Sequence, residues 1–260
     1  MSDPGPPPLY EEIATGQNNS GSSNRGQNVH VATAGPVVPA ARLIPLDFNI
    51  YSASATSGDV YYMGPHQKDR QLALTIHPNS LAAAPKPSII LHDGLITRDP
   101  AIGTSRNAWV SGSDRRFDEF IVTVSPLGGS QPAEERLVTV DEGTYWRPVI
   151  RLRYSLPAAQ AMAAAHGADD TPRQQFEWQQ SSSWEVQSLG GRDSGWRLVN
   201  LANVDETLAI CVPNGHSLTK FLRFSFRGKG RTGSHYSPTW EVMAILTGLT
   251  TWERMKQLND

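Results

Sequence analysis

The chain has 260 residues, a net charge of −2, a hydrophobic share of 38% and one cysteine. That is enough for one sizeable core, while a disulfide within the chain is excluded and no run approaches the roughly 20 apolar residues that span a bilayer as a helix. No positively charged, apolar leader opens the chain, so synthesis is expected in the cytosol or nucleus and Asn18-Asn19-Ser20 is expected to carry no glycan.

Residues 1–35 are rich in Gly, Pro, Ser, Asn and Gln, and their few apolar side chains do not bury enough surface to offset ordering. A disordered tail is expected there, with 36–260 as the folded body. Within the tail, Gly5-Pro6-Pro7-Pro8-Leu9-Tyr10-Glu11-Glu12 carries the short motif. Pro6, Pro7 and Pro8 fix φ near −65° and favour polyproline II in the free chain, which lowers the entropy lost on docking. Leu9 and Tyr10 then offer anchors to a groove lined with aromatic rings. The competing reading is a plain proline-rich linker.

From Ala41 onward, short runs of β-branched and aromatic residues alternate with Gly, Pro, Asn and Asp clusters. The runs predict strands at Leu43 to Tyr51, Asp59 to Met63, Gln71 to His77, Ser88 to Leu91, Asn107 to Ser111, Glu119 to Ser125 and Arg136 to Val140. Further strands are predicted at Trp146 to Tyr154, Ser183 to Leu189, Trp196 to Leu201, Leu208 to Val212, Leu218 to Phe226 and Trp240 to Leu246. One wet face per strand points to antiparallel pairing, so the expected fold is mainly β (α+β), an antiparallel sandwich-like body with few short helices. The helices are expected at alanine-rich Pro157 to His166 and at Thr251 to Leu258, where Thr250 and Glu253 have capping-box spacing. Trp184-Glu185-Val186 and Trp240-Glu241-Val242 each open a predicted strand, a similarity too short to establish a repeat.

Between Glu206 and Glu241 no acid occurs, while Lys220, Arg223, Arg227, Lys229 and Arg231 fall within twelve residues. Either these pair with acids from elsewhere on a solvated face, or they contact anionic lipid or nucleic acid. The search for chemistry is otherwise negative. The seven histidines lack metal-ligand spacing, and no cofactor motif or nucleophile elbow occurs. Gly228-Lys229-Gly230-Arg231 lacks the spacing of a phosphate loop, His92-Asp93 reads as the start of a turn, and Cys211 reads as a small buried hydrophobe. No catalytic residue, metal or cofactor is assigned, and a non-enzymatic role is expected.

Pro7-Pro8-Leu9-Tyr10, with Glu11 and Glu12 behind it, resembles the late-domain motif of matrix proteins from enveloped negative-strand RNA viruses, especially the rhabdoviruses and their relatives. The resemblance covers Pro6 to Glu12. It implies a homo-oligomeric structural protein of the virion that coats the inner face of host membranes, touches the nucleocapsid and recruits host WW-domain ubiquitin ligases or sorting proteins for budding. Pro7 and Pro8 would be the paired prolines, Leu9 the variable position and Tyr10 the tyrosine. Members of that family often carry lysines near the motif, whereas this tail has Arg25 alone, which shifts lipid contact to Lys220 to Arg231. Two other classes remain open: a capsid or nucleic-acid-packaging β-sandwich, and a cytosolic adaptor with a proline-rich ligand tail.

Overall fold

The computed structural model describes residues 44–53, 59–77, 87–108, 119–127, 132–141, 150–162, 172–190, 194–214, 217 and 219–259. The tail motif lies outside them. The described residues belong to one unit, Ala41–Asp260, and contain twelve strands. In chain order these are β1 (Asp47–Ser52), β2 (Val60–Gly64), β3 (Leu72–Ile76), β4 (Ile89–His92), β5 (Ala101–Asn107) and β6 (Glu119–Val124). β7 (Ala133–Asp141), β8 (Ile150–Pro157), β9 (Arg173–Ser181), β10 (Gly195–Asn200), β11 (Asn203–Pro213) and β12 (Lys220–Phe226) complete the set.

Each strand pairs antiparallel with its sequence neighbours, and β12 returns to pair with β1 in a closed barrel. An up-and-down order closes antiparallel only with an even number of strands, and closure leaves no edge. At the seam Phe48 pairs with Phe224 and Ile50 with Leu222, and the two phenyl rings stack with centroids 4.9 Å apart. The ladder shifts register at Ile50/Tyr51, Leu91/His92 and Leu198/Val199, irregularities of the kind that bend a sheet into a barrel.

The expected mainly β class holds, but the sandwich is corrected to a barrel. Alternation puts one apolar face on each strand and leaves undetermined whether that face meets a second sheet or its own sheet closed round. Eight strands enclose a lumen that wall side chains can fill, and twelve enclose a wider one. Here a helix fills it. α3 (Pro238–Asn259) is buried at every position from Thr239 to Thr251 and touches β4, β5, β6 and β8 as well as β10 and β11, which lie across the barrel from β4 and β5.

The helix begins where Ser237 Oγ accepts the Trp240 amide at 3.1 Å, with Pro238 at the first helical position, where its missing N–H costs nothing. Trp178 of β9 donates its indole N–H to Thr247 Oγ1 at 2.9 Å, and Thr250 Oγ1 lies 2.8 Å from Ser105 Oγ of β5. Trp240 stacks on Tyr236 at 4.1 Å and meets Phe226 and Phe176 at 5.8 and 5.9 Å. Two glycines permit the close approach. A Cβ on Gly103 would lie 2.6 Å from Leu246 Cδ1, and one on Gly248 would lie 2.9 Å from Trp178 Cζ2. Gly103→Val is therefore expected to overpack the lumen and cost about 1–3 kcal/mol, read as a lower urea midpoint at unchanged slope.

Four further expectations are corrected. Trp240 to Leu246 is helix, not strand, because burial on every side removes the polar face that would reveal a helical period. Ser183 to Leu189 is also mostly helix, α2 (Trp184–Ser188), whose Val186 packs on Ile210 and Val212 of the outer wall. The alanine-rich helix is one turn, α1 (Ala158–Ala161), ended by extended Met162, which bridges to Tyr236. Thr250 and Glu253 lie inside α3 and do not start a helix.

Candidate interaction surface

Strand β12 rises about 3.3 Å per residue, so its ends lie about 20 Å apart and the basic segment is divided between them. At the first end Lys220 stands over the Tyr51 ring, with Nζ 5.7 Å from the centroid, and burial followed by repulsion from Arg223 lowers its pKa. Arg223 Nη1 donates to Leu189 O at 2.9 Å. This ties the barrel wall to the end of α2, where Gly190 adopts φ +95° beneath the guanidinium.

At the other end Gly228–Arg231 forms a 3₁₀ turn. Lys229 Nζ lies 3.3 Å from Glu206 Oε2, and the Lys229 amide donates to Glu206 Oε1 at 3.0 Å. Arg231 Nη2 lies 3.1 Å from Asp47 Oδ2. Arg227 follows the strand, its amide bonded to Leu208 O at 2.7 Å and its buried Nε without a hydrogen-bond partner among the described residues. Of the five predicted cations, Lys220 and Arg223 are brought together, whereas Lys229 and Arg231 are answered by acids from β11 and β1.

A second set of cations is assembled across strands and escaped a reading along the chain. On the outer face of β8, β9 and β10, Arg153 places Nη2 2.6 Å and Nε 3.0 Å from Glu177 Oε2. Arg151 Nη1 lies 3.8 Å from Glu177 Oε1, and Gln179 Nε2 donates to that oxygen at 2.8 Å. Arg197 Nη2 in turn donates to Gln179 Oε1 at 3.2 Å. Glu177 is 1% exposed, while the side chains of Arg151 and Arg153 remain about a third exposed, at 32% and 39%. Beside Arg153 a groove of about 580 Å³ runs over the outer wall, lined in part by Ile121, Glu134, Arg136, Val138 and Gln175. The alternation of Arg151 and Arg153 was visible in the sequence; the arrival of Arg197 was not, because register alone brings it there.

Cys211 is fully buried, and burial pushes its thiol up to about 12, which keeps it protonated at neutral pH. Among the described residues, no three His, Cys, Asp or Glu side chains converge as a metal cluster, and no helix is long and apolar enough to cross a membrane. No protein-family model, curated protein or solved structure matches the chain.

Proposed function

We propose that this chain is a matrix-type structural protein, in which the barrel self-associates beneath an envelope, meets anionic membrane and nucleocapsid, and leaves Pro6, Pro7, Pro8, Leu9 and Tyr10 to recruit a host WW-domain protein. The observation that carries the reading is the Pro7-Pro8-Leu9-Tyr10 motif, set in a Gly-, Ser- and Asn-rich lead. Pre-formed polyproline II lowers the ordering cost, and the tyrosine adds an aromatic anchor. The filled lumen supports a scaffold role as well. With α3 threaded through the barrel, recognition falls to the outer wall and the tail, and the proposed role is non-enzymatic.

Individually weak contacts suffice for such a protein, because a lattice of copies multiplies them. The direct test is binding of the full chain to an isolated WW domain from a ubiquitin ligase. Tyr10→Ala is expected to weaken binding about tenfold or more, equivalent to about 1.4 kcal/mol. Equal binding by wild type and variant, or none by wild type, would overturn the tail assignment.

A further inference from the structure

We infer that the outer face built by Arg151, Arg153, Arg197 and Trp184 is the surface through which this protein docks on an anionic lipid bilayer. The inference rests on the membrane reading proposed above and moves its contact from the Lys220 to Arg231 segment onto β8, β9 and β10, with α2 between the two.

Charge is the first argument. Two guanidinium groups, of Arg151 and Arg153, share one buried carboxylate on this face, and Arg197 is linked to it through Gln179. The Glu177 carboxylate and the Gln179 amide hold Arg153 and Arg197 in a fixed array rather than leaving them to fold back into solvent. A guanidinium has five N–H donors, so Arg153, with Nε and Nη2 engaged on Glu177, keeps further N–H groups for phosphate oxygens. Of the other acids near this face, Glu185 accepts a hydrogen bond from Thr207 Oγ1 at 2.8 Å, and Glu134 and Glu135, which line the groove beside Arg153, are met by Thr123 Oγ1 and by Arg173.

Trp184 is the second argument. It is 76% exposed, an unusual state for the largest apolar side chain, and it opens α2 on the same wall. Arg197 pairs in register with Ile210, which lies under α2, and stands two residues from Gly195, where a Cβ would approach Val186 Cγ1 of that helix to 2.8 Å. The arginine row therefore runs up to the helix that presents the indole. Val138, 38% exposed, pairs in register with Arg153 at the far side of the patch.

Guanidinium groups fixed between an exposed indole and an exposed valine suit a headgroup layer, with phosphate at one depth and hydrocarbon just below. Single-stranded nucleic acid is the weaker fit, since binding it by stacking uses a series of rings and this face exposes one.

The experiment is co-sedimentation of the full chain with phosphatidylcholine vesicles, with and without phosphatidylserine. The wild type is compared with Arg151→Gln/Arg197→Gln, with Trp184→Ser and, as control, with Arg231→Gln, which touches the opposite end of β12. Arg153 and Glu177 are left intact so that the buried pair survives, and a matched thermal midpoint verifies folding. The expected result is phosphatidylserine-dependent binding that falls about thirtyfold in the double variant, as two charges removed from an acidic surface would give, and that falls also in Trp184→Ser while Arg231→Gln is unchanged. Wild-type binding that both patch variants retain would overturn this assignment and leave the membrane reading standing. No wild-type binding to either vesicle would overturn both. Retention of an unstructured RNA that the double variant loses, without vesicle binding, would overturn the inference in favour of nucleic acid.

Discussion

Trp240→Ala is expected to destabilise the folded unit by about 3–5 kcal/mol, the range for deleting a large aromatic from a core that collapses poorly around the gap. Trp240 is 0% exposed and stands at the entry of α3 into the lumen, between Tyr236, Phe176 and Phe226. Its ring joins the helix to β9 and β12 at once, and a closed barrel cannot shrink onto a void at its axis without breaking strand pairs. The cost should therefore lie toward the upper end. Urea unfolding followed by far-UV circular dichroism gives the number, and Trp184→Ala, at a 76% exposed position, should stay within about 0.5 kcal/mol of wild type. A loss below about 1 kcal/mol for Trp240→Ala would mean that the helix does not occupy the lumen.

The second large effect is a pH dependence centred on Glu253. This carboxyl is 8% exposed near the end of α3, and burial raises it from its ordinary value of 4.5 to about 7, with Lys256 pulling the other way. Its charge also weighs on Tyr61 of β2, whose hydroxyl is raised chiefly by its own burial. Between about pH 4.5 and 7 the native state keeps a proton that the unfolded state has released, so the contribution is whole below the lower value and is lost as pH climbs through the upper one. At 1.36 kcal/mol per pKa unit, the loss by pH 8 is about 3 kcal/mol. Glu253→Gln keeps the shape and removes the titration. It should match wild type near pH 4 and exceed it by about 3 kcal/mol at pH 8, in urea midpoints measured at both values. Parallel profiles for the two proteins would contradict the buried, protonated state.

The strands that alternation revealed are those whose inward positions carry large apolar groups, such as Ile50 of β1, Leu74 of β3, Val122 of β6 and Phe224 of β12. Alternation does not reveal β5, because its inward residues, Gly103 and Ser105, are small or polar, and they are so because α3 presses on them. β9 was missed because Phe176 and Trp178 stand among glutamines, arginine and glutamate. In α3 the β-propensity of Trp240-Glu241-Val242 competes with Ser237-Pro238, a helix start legible in the sequence. Trp184-Glu185-Val186 misled in the same way, and both triplets open helices.

The candidate surface shows the same limit from another side. Five cations within twelve residues looked like one patch, but Glu206 and Asp47, brought in from other strands, answer Lys229 and Arg231. Arg151 and Arg153 alternate visibly along β8, but their meeting with Arg197 exists only in register across β8, β9 and β10. Local spacing reports on neighbours along one strand, whereas a barrel builds its surface across strands.

The proposed budding role, driven by the tail motif, is tested by release of vesicle-like particles from cells expressing the chain alone. Wild type is predicted to release particles, and Pro7→Ala/Tyr10→Ala to be expressed equally and release few. Release unchanged by the double substitution, or no release from either protein, would contradict the claim.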